Sequence, residues 1–265
     1  MNVNFDGVSE TLLITLYAKA EETKRKNSII KDEKALDIIN NINYDFSKFK
    51  NKGTQVGVSI RVKIIDDILK NIISNESCTI INLGAGLDTR AYRFINKNIY
   101  WYDIDFEDVI NLRKEVFQEL HNNDNYKAIP SSILNFDFID RIEKKDKVIV
   151  IAEGVLMYMD ENEIKMIIEE FSVKFNNCHF IFDTIPKFFV KNTKMHSTVK
   201  KTNAVFKWGL DKPRYIDKMS SHIQFIELYN IMNFYKNRWG FMNIFSYIPL
   251  LNNIVNFNII HIKII

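Results

Sequence analysis

The apolar positions of the chain change their spacing near residue 76. Before it, Val8, Leu12, Leu13, Leu16 and Tyr17 recur at helical intervals and predict a helix over 8–23. Asp32 reads as the N-cap of a second helix running to about Ile42, with Leu36 and Ile39 on one face. A third helix over 56–73 brings Val58, Ile65, Ile68, Leu69 and Ile72 to one side. Residues 1–75 are therefore expected to form a helical extension.

Beyond that point short apolar runs alternate with helical patterns. Strands are expected at 78–83, 98–104, 126–130, 147–152 and 178–184, and helices at 106–120, 137–144 and 160–175. The last of these helices opens with Asp160 and Glu163 at capping-box spacing. Strand–helix alternation predicts an α/β fold with a parallel, doubly wound sheet, here carried by residues 76–185. Residues 186–238 break the rhythm, two helical stretches flanking "WGLDKPRYIDK", and read as a helical lid insertion. Within the remainder, 239–265, the stretches 241–248 and 256–264 read as an antiparallel pair closing the sheet. With no internal repeat and no Gly/Pro/Ser-rich linker, the chain reads as one domain.

Composition narrows the partner. Hydrophobic residues at 46% suffice for a globular core, and a diffuse net charge of +3 argues against nucleic acid and for a small molecule. The apolar tail is broken by Asn243, Asn252, Asn253, Asn256, Asn258, His261 and Lys263, too often for a membrane span. The opening "MNVNFDGVSE" carries acids where a secretory leader needs bases. Cys78 and Cys178 sit in apolar runs and read as reduced thiols of a cytoplasmic protein. No histidine or cysteine spacing suggests a metal.

The candidate chemistry begins at "INLGAGLDTR", where Gly84 and Gly86 follow the first strand. Such glycines let a backbone approach a ligand, although a structural turn is the simpler reading of a lone pair. Asp88-Thr89-Arg90 replaces the Gly-Lys-Ser/Thr that a triphosphate loop requires. Thr89 also stands where the dinucleotide fingerprint needs its third glycine, which argues against an NAD-dependent oxidoreductase. The second strand ends in Asp103 and Asp105, and Asp105 lies about 20 residues beyond the loop, the distance at which an acid reaches a ribose. A ribose-binding acid without pyrophosphate features favours S-adenosylmethionine. Glu153 ends the fourth strand, where an acid needs a cationic ligand or a structural ion pair.

Taken in order, "TLLITLYAKA", "IIKDEKA", "NYDFSKF", "GVSIRVKIID", "NLGAGLDTRAYRF", "WYDIDFEDVI", "AEGVLMYM" and "FKWGLDKPR" resemble the leucine carboxyl methyltransferase superfamily. The resemblance is to its bacterial branch of tetracenomycin-type polyketide O-methyltransferases. It implies the class I S-adenosylmethionine-dependent methyltransferase fold, a Rossmann-like sheet of seven strands with the last antiparallel. It also implies roles: Gly84 and Gly86 at the methionine part of the cofactor, Arg61 and Lys19 at its carboxylate, and Asp105 at the ribose with Asp103 behind it. Glu153 would face the cofactor amino group, and Tyr158 the site of methyl transfer. The family's Asp-Leu-Arg run, whose acid reaches the adenine amine, is replaced by Ser132-Ile133-Leu134. Ser132 and Ile133 would still stand at the adenine. Leu134 cannot serve as the arginine that receives a carboxylate in protein-directed members, which argues for a small-molecule acceptor.

Other residues have simpler readings. Arg90 and Arg93 would brace helices, Trp208 and Tyr215 would roof an acceptor pocket or fill the insertion's core, and His196 carries too little to be assigned a role. The expected reaction is O-methylation, favouring a carboxylate because it is ionised without a general base. A protein that keeps the fold and the cofactor site as a scaffold, without catalysis, is the alternative. The completeness of the set Lys19, Arg61, Gly84, Gly86, Asp105, Glu153 and Tyr158 favours the enzyme.

Overall fold

The computed structural model describes residues 11–73, 76–175, 177–193, 204–240 and 257–265. Three helices come first: α1 (Thr11–Thr23), α2 (Glu33–Asn41) and α3 (Lys52–Ile72). Asp32 caps α2 as its sequence suggests, its carboxylate accepting the Ala35 N–H at 3.0 Å. The sheet is built from β1 (Cys78–Leu83), β2 (Ile99–Asp105), β3 (Tyr126–Pro130), β4 (Lys147–Ala152), β5 (Cys178–Thr184), β6 (Ile223–Asn230) and β7 (Asn258–Ile264). Between strands lie α4 (Ala91–Phe94), α5 (Glu107–Val116), α6 (Gln118–His121), α7 (Glu161–Lys174) and α8 (Lys187–Lys191).

The seven strands lie in the order β3-β2-β1-β4-β5-β7-β6. β1 to β5 pair in parallel, and β7 runs antiparallel to both neighbours. The strand order reverses between β1 and β4, where open α/β sheets place ligands outside the carboxyl ends of their strands.

Alternate residues feed two cores, as the pleat requires. Ile80, Ile149, Ile151, Ile181 and Ile259 face α1 and α3. Ile81, Val150, Phe180, Phe182 and Ile260 face α7, which answers with Ile164, Ile167, Ile168 and Phe171. The Asp160–Glu163 capping box fixes the start of α7, both reciprocal bonds being present. Burial on both faces explains why β1 and β4 read as mostly apolar runs rather than strict alternations.

Three expectations need correction. The helix expected over 106–120 is split into α5 and α6 at Phe117, whose ring is fully buried while its backbone leaves helical geometry (φ −122°, ψ 41°). That expected over 137–144 is only a short 3₁₀ turn, Ile139–Arg141, because Phe136 just before it adopts φ 58°. Residues 186–238 are not wholly helical: they contain β6, whose edge position leaves half its side chains toward solvent and blurs the strand signal. The closing antiparallel pair is therefore β6–β7, and the strand expected at 241–248 lies outside the described residues.

Cys78 and Cys178 are buried and free, and burial pushes their thiols up to about 11 and about 12. Among the described residues no helix is long and apolar enough to cross a membrane.

Candidate active site

A cavity of about 820 Å³ opens at the carboxyl ends of β1, β2, β4 and β5, within the range of small-molecule sites. Lys19, Arg61, Gly84, Gly86, Asp105, Ser132, Ile133, Glu153 and Tyr158 all lie on its wall. Residues scattered over much of the sequence are thus brought to one place by α1, α3 and four strand ends.

The glycine loop leaves β1 with Gly84 at φ 58° and Gly86 at φ 49°, both left-handed. A Cβ on Gly84 would come within 2.5 Å of Val155 Cγ2, so the loop can pass under the β4 turn only as glycine. Asp105 holds the loop from β2: its carboxylate accepts the N–H of Gly86 at 2.7 Å and of Phe106 at 2.8 Å. Burial pushes this carboxyl above its usual range, and those two N–H groups offset the shift only in part.

Asp103 does not reach the cavity. It is fully buried and accepts hydrogen bonds from Asn82 (2.8 Å), the Trp101 indole (2.8 Å) and the Tyr126 hydroxyl (2.7 Å), besides pairing with Arg113. Arg113 in turn donates to the carbonyls of Gly86 (2.6 Å) and Asp88 (3.2 Å). Asp103 thus stands behind Asp105, where it anchors the arginine that holds the far side of the loop, and it is not itself a cofactor contact on the cavity wall.

The opposite wall is a buried ion network. Arg61 donates through Nε to Glu153 at 2.9 Å and through Nη1 to Asp183 at 2.8 Å. Arg90 binds Asp66 (2.8 Å) and Asp88 (2.5 Å) and pairs with Glu153. Burial raises the Glu153 carboxyl, but Arg90 and Arg61 together outweigh it and leave the acid below its usual range. For Asp183 burial wins, and its carboxyl stays above the usual range despite Arg61 and the Gly154 N–H at 2.6 Å. Glu153 thus makes the structural ion pair that was one of its two readings, while remaining on the cavity wall. Lys19, buried on α1, pairs with Asp32 at 3.6 Å and reaches the Leu87 carbonyl at 3.3 Å.

The other half of the wall is apolar. Met157, Ile185, Phe189, Phe206 and Phe257 surround Tyr158, whose ring lies 5.5 Å from that of Phe206. Burial pushes the Tyr158 phenol up to about 12, so it remains a hydrogen-bonding hydroxyl at neutral pH. Trp208 is buried in the core against Phe182, and Tyr215 is exposed, so neither roofs the cavity. Arg93 braces α3 through Asp66 at 2.8 Å, as expected, whereas Arg90 braces α3 and also lines the cavity. Sequence reasoning missed Asp183, although an acid ending the apolar run of β5 is the same signal that singled out Glu153. Among the described residues no group of His, Cys, Asp or Glu is placed to hold a metal.

This strand order, with a glycine turn after β1 and an acid ending β2, defines a class I S-adenosylmethionine-dependent methyltransferase. The leucine carboxyl methyltransferase family model matches residues 12–172, more than half of the chain, and the chain belongs to that family. It is 26% identical over 234 residues to the tetracenomycin polyketide synthesis O-methyltransferase TcmP of Streptomyces glaucescens, covering 87% of this chain and 86% of that one. It is 24% identical to the S-adenosyl-L-methionine-dependent methyltransferase dpfgK of Gibberella zeae, covering 81% and 79%. Two solved structures share the fold. One is magnesium protoporphyrin IX methyltransferase (ChlM) of Synechocystis PCC 6803 with bound SAM, with a TM-score of 0.54, 13% identity, and 99% and 100% of the two chains covered. The other is a DUF574 family protein of Streptomyces avermitilis, with a TM-score of 0.58, 9% identity, and 96% and 97% covered.

The protein is accordingly an S-adenosylmethionine-dependent methyltransferase, and its own side chains fit that cofactor. Glu153 Oε2 is buried with only the Arg90 ion pair and no aligned donor, leaving an acceptor on the wall for an ammonium. The Asp105 carboxylate retains lone pairs beyond its two backbone partners for a ribose diol. Lys19 and Arg61 supply positive charge beside the loop for a carboxylate.

Proposed function

We propose that the protein methylates the carboxylate of a small, largely apolar acid, polyketide-like or otherwise. The observation that carries this reading is the state of the ionisable groups around Tyr158. No histidine lines the cavity among the described residues, and its carboxylates are engaged: Asp88, Glu153 and Asp183 by arginine, Asp105 by the Gly86 and Phe106 N–H groups, and Glu163 by the Asp160 N–H. A phenol or alcohol acceptor, with a pKa of about 10 or more, would need one of these groups to remove its proton. A carboxylate acceptor is ionised at neutral pH and needs none.

Bound S-adenosylmethionine supplies a methyl group carried on a positively charged sulfur. In this proposal Arg61 and Lys19 hold its carboxylate, Glu153 its ammonium and Asp105 its ribose, while Ser132 and Ile133 border its base. Tyr158 orients the acceptor oxygen with its hydroxyl, and the apolar wall strips water from both reactants. α1 and the described stretches 186–193 and 204–238 act as lids, since Leu12 and Thr15 from one and Phe189 and Phe206 from the others line the cavity. Leu134 on the wall, where an arginine would stand in protein-directed relatives, supports a small acceptor over a protein C-terminus.

The test is a methylation screen with labelled cofactor against alkyl, aryl and peptide carboxylates and matched phenols. Turnover of small acids supports the proposal. Efficient labelling of a protein C-terminus with small acids inert would overturn it.

A further inference from the structure

We infer that Lys207 is the anion-binding residue of the acceptor site and selects a singly charged amphipathic acid. The inference rests on the proposed carboxylate reading and deepens it. Four basic side chains line the cavity, Lys19, Arg61, Arg90 and Lys207. The first three are each paired with a carboxylate of the protein, Asp32, Glu153 with Asp183, and Asp66 with Asp88, and what Lys19 and Arg61 have left is assigned above to the cofactor end. Lys207 alone has no ion pair or side-chain hydrogen bond among the described residues. It is a cation on the wall of a ligand cavity whose charge nothing in the described protein answers.

Its place is fixed. The N–H groups of Lys207 and Trp208 both donate to the Met157 carbonyl, at 2.8 and 3.2 Å, on the turn that carries Tyr158. Leu210 N–H donates to the Ile185 carbonyl at 2.9 Å, and a Cβ on Gly209 would come within 2.5 Å of that oxygen. The strap 206–210 is thus tied to both the β4 and the β5 ends, and Lys207 projects a flexible four-carbon stem from a rigid base. Its neighbour Phe206 is buried against Tyr158, and Phe189 packs on Phe257 with ring centroids 5.3 Å apart. The cavity therefore offers an aromatic bed for an apolar body and, from the exposed Lys207 on its wall, one unpaired positive charge for one negative charge.

Leu134 gives the same wall no charge, and a mobile, monodentate lysine from another element supplies it. One carboxylate oxygen rests on Lys207 and the other remains free to accept the methyl group. Once the ester forms, the product is neutral and loses this ion pair, so the contact that gathers the acid does not retain the product.

The experiment uses the full chain and the best carboxylic acid from the screen. Lys207→Met is expected to raise KM for the acid by about two- to fivefold, as loss of a solvent-exposed ion pair implies. It should change kcat little and leave the dissociation constant of S-adenosylhomocysteine unchanged. Lys207→Arg should restore most of the affinity, and added salt should raise KM in the wild type but not in Lys207→Met. If acids are methylated and Lys207→Met leaves their KM unaltered, this assignment falls while the carboxylate reading stands. If only phenols or alcohols are methylated, both fall.

Discussion

Asp105 accepts the backbone N–H of Gly86 at 2.7 Å, so the acid proposed to hold the cofactor ribose also sets the shape of the loop beneath it. Asp105→Ala removes both functions. The expected loss in S-adenosylhomocysteine affinity is roughly 1.5–3 kcal/mol, the worth of charge-assisted hydrogen bonds, with circular dichroism intact. Calorimetry returning wild-type affinity would show that the cofactor binds elsewhere.

Arg113 and Asp103 hold the loop from behind and are both fully buried. Arg113→Met leaves Asp103 without its countercharge and is expected to cost about 3–5 kcal/mol in urea unfolding. Replacing Asp103 by Leu in the same chain should recover part of that stability. It should not recover cofactor affinity, because the carbonyls of Gly86 and Asp88 still lack their donor. Parallel recovery of both quantities would contradict a positioning role for Arg113.

Tyr158 lines the half of the cavity proposed for the acceptor, and burial keeps its hydroxyl protonated. Tyr158→Phe is expected to lower kcat by about tenfold, one hydrogen bond, and leave cofactor affinity unchanged. Steady-state kinetics beside calorimetry separates the two effects. A weakened cofactor with unaltered kcat would move Tyr158 to the other half of the site.

His179 Nδ1 and His261 Nε2 lie 2.9 Å apart on neighbouring strands, a contact that requires one ring to donate and the other to accept. Burial foremost, then the mutual repulsion of the two rings for His179 and Lys263 for both, lowers each pKa to about 4 from 6.5. The folded state therefore binds fewer protons than the unfolded chain between those values. The pair's contribution to stability is complete above the unfolded pKa and is lost as pH falls toward the folded one. Melting temperature should drop on going from about pH 7 to about pH 5, and less so in His179→Phe. An unchanged slope in that variant would remove the pair from the acid response.

The sequence exposes the features that one local signal controls. β1, β4 and β5 are legible because each is buried on both faces and written as a mostly apolar run. The glycine loop and Asp105 are legible because a tight turn and an acid at a fixed remove have few other uses. β6 is not: its neighbour β7 lies across a long chain separation, and its outward face dilutes the pattern. Asp103 and Asp105 look equivalent two residues apart, and the pleat sets both on one face; Asp103 lies deeper in the sheet, covered by Arg113, Tyr126 and Trp101, while Asp105 ends the strand and meets the loop. The isolation of Lys207 is invisible in sequence for another reason, since it depends on where every other carboxylate of the wall is already engaged.

The chemical nature of the transferred methyl group's new bond tests the account most directly. Product labelled from S-adenosylmethionine can be treated with mild alkali, which hydrolyses methyl esters and spares methyl ethers. A carboxylate acceptor predicts that the label is released as methanol and that the parent acid is regenerated. Label that survives alkali on the acceptor would mean methylation of a hydroxyl, and would contradict the reading of this cavity as a site that works without a general base.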